Sequence, residues 1–285
     1  MPKRAKTILD KVQTLSEPKQ PTEKARQNYV GVELEFFNET SHEDLKLLLA
    51  DANLDKVCHL DTDGSIAPTR GEGHELQVLA PEKDIKLVIT RVCEVLNRTA
   101  AGVNTSCGLH VHLDMRHRNA HQVYTQLFQT QPALYSLVPQ HRRDSIYCVP
   151  NEKPHFAYAA ERFGINTNAL REHGTLELRM HAGTVNAEQI NHWISILLAI
   201  VKTKKYFSHP VQDVETLHSI VKLKPETLDY ARKRARLLTR PIGAQETPKP
   251  FSYRAQRFFI QHFEEVTVAM CLSSLGLVFW LTSGS

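Results

Sequence analysis

Four short stretches of this sequence carry charged or imidazole side chains at every second position, with apolar residues between them. They are Tyr-Val-Gly-Val-Glu-Leu-Glu-Phe (29–36), His-Glu-Leu-Gln-Val-Leu (74–79), Cys-Gly-Leu-His-Val-His-Leu-Asp (107–114) and Gly-Thr-Leu-Glu-Leu-Arg-Met-His (174–181). A β-strand sends successive side chains to opposite faces, so a period of two is the signature of a strand with two unlike sides. On that reading Glu33 and Glu35 share a face, as do His110, His112 and Asp114, and as do Glu177, Arg179 and His181. The opposite faces carry Val30, Val32, Leu34 and Phe36, then Leu109, Val111 and Leu113, then Leu176, Leu178 and Met180. The pattern predicts one sheet, apolar on one side and lined on the other with carboxylates, imidazoles and a guanidinium. A merely solvated face would be richer in Thr, Lys and Ser.

The rest of the chain allows such a sheet a full core. At 285 residues, with 41% hydrophobic and 23% charged residues, it has the composition of a soluble globular protein. A net charge of +4 permits an anionic substrate without demanding nucleic acid. Cys58, Cys93, Cys107, Cys148 and Cys271 are scattered without CxxC spacing. That argues against a disulfide framework or a zinc ribbon and for a reducing, cytoplasmic setting. The first 28 residues are basic and polar and are not expected to act as a secretory leader. Val266 to Thr282 is the most hydrophobic stretch; short for a span and interrupted by Thr, Ser and Gly, it reads as a buried helix or strand rather than a membrane anchor.

Three regions follow. Residues 1–27 read as a flexible basic arm, with a brief apolar pattern at Ile8, Leu9, Val12 and Leu15. Residues 28–206 read as the catalytic domain, and 207–285 as a helical extension packed on it. Apolar spacing predicts helices over 43–52, 82–101 and 186–206, and one or two helices over 120–137 broken at Pro132. Asp61-Thr-Asp-Gly-Ser65 is turn chemistry. Residues 139–168 read as a long loop with a short helix near Ala157. Short turns and a one-sided sheet predict an α+β fold, an antiparallel sheet with helices on its apolar face and the active site on its polar face.

The polar positions have definite chemical uses. Two carboxylates side by side, Glu33 and Glu35, repel unless a cation lies between them, and hard oxygens suit Mg²⁺ or Mn²⁺; the alternative is an exposed strand face. Glu75 is a possible third carboxylate. His110-Val-His112 can bind zinc, or place one imidazole on a metal and the other on a phosphate. Glu177-x-Arg179 is either a salt bridge or a metal carboxylate beside a guanidinium that clamps a phosphoryl oxygen. Cys107 reads as a small residue beside the histidine strand, not a nucleophile.

Taken in order, Gly-Val-Glu-Leu-Glu, Asp-Gly-Ser with Glu-Leu-Gln, Cys-Gly-Leu-His-Val-His and Gly-Thr-Leu-Glu-Leu-Arg-Met-His-Ala-Gly-Thr resemble the amidoligases, over about residues 29–205. These belong to the carboxylate–amine ligases with the glutamine synthetase catalytic fold. The resemblance implies an antiparallel sheet of that type, ATP as phosphoryl donor, two or three Mg²⁺ or Mn²⁺ ions, and amide formation between a carboxylate and an amine through an acyl phosphate. By motif position it implies Glu33, Glu35, Glu75, His110 and Glu177 as metal ligands, and His112 and Arg179 as catalytic phosphate contacts. Arg142, Arg143 and Tyr147 fall where the family keeps an Arg-and-Tyr segment for nucleotide or substrate. Two other readings stay open: a zinc-dependent hydrolase built on His110 and His112, and a nucleic-acid-binding or nucleic-acid-modifying protein using the basic segment 222–240. No membrane partner is expected, and the sequence names neither the acid, the amine nor the oligomeric state.

Overall fold

The computed structural model describes residues 27–153 and 162–239. The N-terminal arm, the helix expected near Ala157 and the hydrophobic stretch 266–282 lie outside the described residues. Within them, six strands form one fully antiparallel sheet in the order β2-β3-β1-β4-β6-β5. The strands are β1 (Tyr29–Asn38), β2 (Cys58–Thr62), β3 (Glu72–Pro81), β4 (Gly108–Asp114), β5 (Ile165–Asn166) and β6 (Thr175–Ala182). The helices are α1 (His42–Asp51), α2 (Ile85–Arg98), α3 (Ala120–Tyr135), α4 (Gln140–Arg143), α5 (Asn168–His173), α6 (Ala187–Lys202), α7 (Val214–Val221) and α8 (Pro225–Thr239). This is the expected α+β arrangement. No helix among the described residues is long and apolar enough to cross a membrane.

The alternation dictates the layers. Val30, Val32, Leu34 and Phe36 of β1 are buried on the same side as Leu76 and Val78 of β3 and Leu109, Val111 and Leu113 of β4, and they share one core with the helices. Helix α6 supplies Ile190, Trp193, Ile194, Leu197 and Val201 to that core and touches α2, α3 and α8. The core continues past residue 206 through Phe207, Val211, Val214, Leu217, Leu223 and Leu228.

Helix α3 runs through Pro132 without breaking. A mid-helix proline removes a backbone donor and crowds the preceding turn. Here the affected groups find partners elsewhere. Gln131 Nε2 donates to the Phe128 carbonyl at 3.4 Å. The backbone of Val211 enters the next gap: its N–H donates to Gln129 O at 2.7 Å, and its carbonyl accepts from Ala133 N–H at 3.0 Å.

A second departure falls in β6. Leu109 pairs with His181 and Val111 with Leu178, so between these pairs His110 of β4 lies opposite Arg179 and Met180 of β6 and the register shifts. Such a bulge turns the chain beyond it by one face. His181 therefore does not share the polar face with Glu177 and Arg179, as strict alternation predicts. It lies 1% exposed on the helix side, its ring 5.0 Å from that of Trp193. Burial drives its imidazole down to about 3, with its Nδ1 bonded to the Ala182 carbonyl.

Candidate functional site

Cross-strand register brings the polar positions together. Glu35 sits opposite Glu75 across β1 and β3, Glu33 opposite His110 across β1 and β4, and His112 opposite Glu177 across β4 and β6. Two groups of potential ligand atoms result. Glu33, His112 and Glu177 converge within 4.8 Å of one another, and so do Glu35, Asp63 and Glu75. His110 stands between the groups: its Nδ1 is 3.0 Å from Glu33 and 3.5 Å from Glu177, and its Nε2 is 3.5 Å from Glu35. Asp63 enters from the β2–β3 connection, as a ligand candidate the sequence reading did not single out. The signal was present as an Asp-Gly-Ser turn, but β2 itself was not foreseen, so neither was the hairpin that aims the turn at the sheet.

The electrostatics describe a crowded anionic face. Burial pushes the Glu75 carboxyl up to about 7, reinforced by the charges of Glu33 and Glu35 and only partly offset by the Gln77 hydrogen bond. Burial acts the same way on Glu33, yet His112 and His110 hold its carboxyl well below the usual range. Burial disfavours the His112 imidazolium, but Glu33, in contact, and Glu177 raise it to about 9. The His112 Nε2 is 3.2 Å from Glu33 Oε1, close enough for an ion pair but not aligned as a hydrogen bond. Its Nδ1 is fixed by Thr175 Oγ1 at 3.0 Å.

Five carboxylates with two imidazoles, one of which has a buried nitrogen lacking a hydrogen-bond partner, fit divalent cations. Oxygen-rich donors favour Mg²⁺ or Mn²⁺ over zinc. Glu33, His112 and Glu177 would hold one ion, and Glu35, Asp63 and Glu75 another. Among the described residues no cysteine joins these groups: Cys58, Cys93, Cys107 and Cys148 are buried, and burial raises each thiol, to about 12 for Cys58 and Cys93.

A cavity of about 480 Å³ adjoins these groups, with Glu35, His110, Arg142, Tyr147 and Arg179 on its walls. Arg179 Nη1 donates to Glu177 Oε1 at 2.5 Å, and its Nε is buried without a partner. Arg142 is 5% exposed and donates from Nη2 to the Arg179 carbonyl at 2.5 Å; its Nε is also unpartnered. Tyr147 is exposed at the wall, with the Arg162 guanidinium 5.0 Å from its ring centre. Arg143 does not reach this cavity. Its guanidinium donates to the carbonyls of Val138 and Ser136 at 2.9 and 3.1 Å, closing the end of α3. Asp114 is also spent, on the Arg116 side chain and the Tyr29 N–H. The basic residues of α8 are engaged as well: Arg232 with Glu215, Lys233 with Asp229, and Arg234 with the Leu137 carbonyl.

The fold and face define an α+β protein with a candidate divalent-metal centre beside an arginine-walled cavity. Residues 76–163 match the family model described as "Putative amidoligase enzyme". This bears out the resemblance read from the motifs and points to an enzyme of the amidoligase type. The matched segment holds His110, His112, Arg142 and Tyr147, while Glu33, Glu35, Asp63, Glu75, Glu177 and Arg179 lie outside it. No curated protein matches the sequence.

Proposed function

We propose that the polar sheet face is the active site of an ATP-dependent carboxylate–amine ligase, on a sheet of the glutamine synthetase catalytic type. The observation that carries this reading is the pairing of two three-ligand groups, bridged by His110, with a cavity holding Arg142 and Arg179. In this reading a substrate carboxylate attacks the γ-phosphorus of ATP and displaces ADP. An amine then attacks the carbonyl carbon of the acyl phosphate, giving an amide and inorganic phosphate. Bound divalent ions supply charge neutralisation at the phosphate oxygens. The chain's own residues do the rest. Arg179, steadied by Glu177, presents a planar donor to a phosphoryl oxygen. His112, oriented by Thr175, gives its Nε2 to the ion that it would hold with Glu33 and Glu177, which leaves Arg179 and Arg142 as the positive side chains beside the phosphates. A Gly-rich phosphate loop of the P-loop kind is not part of this sequence, so phosphate binding falls to these groups.

The test follows oxygen. The protein is incubated with ATP, Mg²⁺ and pooled acids and amines, and products are read by mass spectrometry. With ¹⁸O in the productive acid's carboxylate, label is expected in the released inorganic phosphate, because the bridging carboxylate oxygen leaves with phosphorus. Label in AMP would mean adenylation. ATP consumption without ADP, or amide bond cleavage without ATP, would replace the ligase reading.

A further inference from the structure

The Glu35, Asp63 and Glu75 group is not built by the sheet alone. Glu35 and Glu75 sit on neighbouring strands. Asp63 stands just past the end of β2, where its N–H still donates to the Gly73 carbonyl of β3 at 2.9 Å, and the connection beyond it leaves the sheet. Its Oδ1 accepts the Ser65 N–H at 2.8 Å, which fixes the carboxylate's rotation. Two residues on, the connection is tied to the loop between α2 and β4. Ala67 N–H donates to Ser106 Oγ at 3.0 Å, and Asn104 Nδ2 donates to the Ala67 carbonyl at 2.7 Å. Asn104 Oδ1 in turn accepts from the Ser106 hydroxyl at 2.6 Å and the Ser106 N–H at 2.9 Å. Donors and acceptors agree all round this ring, so Asn104 and Ser106 clamp both backbone groups of Ala67.

Neighbouring contacts allow the clamp little play. Ile66 packs with Phe37 and Cys107 in a small apolar cluster of its own. A Cβ on Gly73 would fall 2.5 Å from the Asp63 carbonyl, so the hairpin closes tightly there. The same α2–β4 loop leads directly into Gly108, whose N–H donates to Glu35 Oε2 at 2.6 Å. One loop therefore reaches two of the three carboxylates, Glu35 directly and Asp63 through Ala67.

We infer that Asn104 and Ser106 are positioning residues for the Glu35, Asp63 and Glu75 cation site, holding Asp63 in place through the Ala67 backbone. This rests on the metal-centre reading given above. Neither residue is a ligand; each acts through the hairpin. Removing the clamp should weaken that one site and leave the Glu33, His112 and Glu177 site as it is, since the latter draws on β1, β4 and β6 only.

The experiment is a Mn²⁺ titration without nucleotide or substrate, with free ion read by electron paramagnetic resonance. The full-length protein is compared with its Asp63→Asn, Asn104→Ala, Ser106→Ala and Ser106→Thr variants. The unaltered chain should bind two ions, and Asp63→Asn should weaken one of them. Asn104→Ala and Ser106→Ala should weaken the same one by about tenfold, the usual scale for a lost supporting hydrogen bond behind a metal ligand. Ser106→Thr keeps the hydroxyl and should restore most of the affinity. Asn104→Ala added to Asp63→Asn should weaken that site no further. Two ions bound at unaltered affinity by Asn104→Ala would overturn the inference, as would equal weakening of both sites. Failure of the unaltered chain to bind any Mn²⁺ would overturn the metal-centre reading itself, and the clamp with it.

Discussion

Glu177 shows how much one side chain in this face has to reconcile. Its Oε1 meets Arg179 Nη1 at 2.5 Å, its Oε2 accepts from Asn166 Nδ2 at 2.7 Å, and His110 Nδ1 lies 3.5 Å away. Glu177→Gln keeps the size and loses the charge, so it deprives Arg179 of its counter-ion and the Glu33 and His112 group of an anionic ligand. Mn²⁺ affinity should fall by tenfold or more and ATP turnover by about a hundredfold or more, with the circular dichroism spectrum unchanged. Near-normal turnover would make Glu177 a structural partner of Arg179 only. His181 carries a different prediction. Folded, its imidazole sits at about 3; unfolded, it returns to about 6.5. The unfolded chain therefore binds the extra proton between those values. His181 costs nothing above about pH 6.5, and its penalty grows as pH falls toward 3. His181→Asn should gain about 2 kcal/mol relative to the natural chain between pH 8 and pH 5, read from urea unfolding at both pH values. A difference that does not change with pH would mean the ring is charged, or wetter than its burial indicates. Individual side chains were legible in the sequence where alternation held, as at Glu33, Glu35, His110 and His112. Arg142 and Arg143 are consecutive on a one-turn helix and point to different surroundings. No periodicity could have separated them.

The strands foreseen were those with strong alternation and several β-branched or aromatic residues. β2 is five residues long with only Cys58 and Leu60 turned inward, and β5 has two residues. Both owe their existence to a neighbour's ladder more than to their own composition. The β6 bulge was invisible for a related reason: the sequence 174–181 alternates without interruption, and only its pairing with β4 introduces the extra residue. That residue has a use. At the bulge the Arg179 carbonyl takes the Arg142 guanidinium, and the Arg179 N–H donates to Gly164 O at 2.9 Å, so both of its backbone groups are held. Proline 132 shows local propensity overridden by a tertiary contact. Replacing a mid-helix proline with alanine ordinarily recovers about 3 kcal/mol. Here the Phe128 carbonyl already has the Gln131 side chain, and Val211 occupies the following gap in the helix ladder. Pro132→Ala should therefore change stability by less than about 1 kcal/mol in urea unfolding. A gain near 3 kcal/mol would show that these substitute bonds contribute little.

At the scale of the molecule, one sheet separates two environments. Helices cover its apolar side, while its other side concentrates Glu33, Glu35, Asp63, Glu75 and Glu177 with little to neutralise them but His110, His112 and nearby Arg179. Folding brings these carboxylates together, and Glu75 registers the cost in a carboxyl raised by burial and by like charge. A divalent ion bound only by the folded chain relieves that cost and stabilises the fold by mass action. At about a hundred times the dissociation constant the gain is about 2.7 kcal/mol per site. For a domain of this size that corresponds to a rise of about 5 to 10 °C in melting temperature. Mg²⁺ or Mn²⁺ should raise the melting temperature in a saturating way, and a chelator should reverse it. NaCl at equal ionic strength should do much less, because screening does not replace coordination. Glu33→Gln combined with Glu75→Gln removes one ligand from each group. The double variant should respond little to Mg²⁺; without metal, the loss of the repelled Glu75 charge favours its fold while the loss of Glu33, which His112 and His110 stabilise, opposes it. An undiminished response in that variant would place the stabilising ions elsewhere on the molecule. A natural chain indifferent to both ions would mean that the polar face is neutralised by its own histidines and arginines, with no divalent centre.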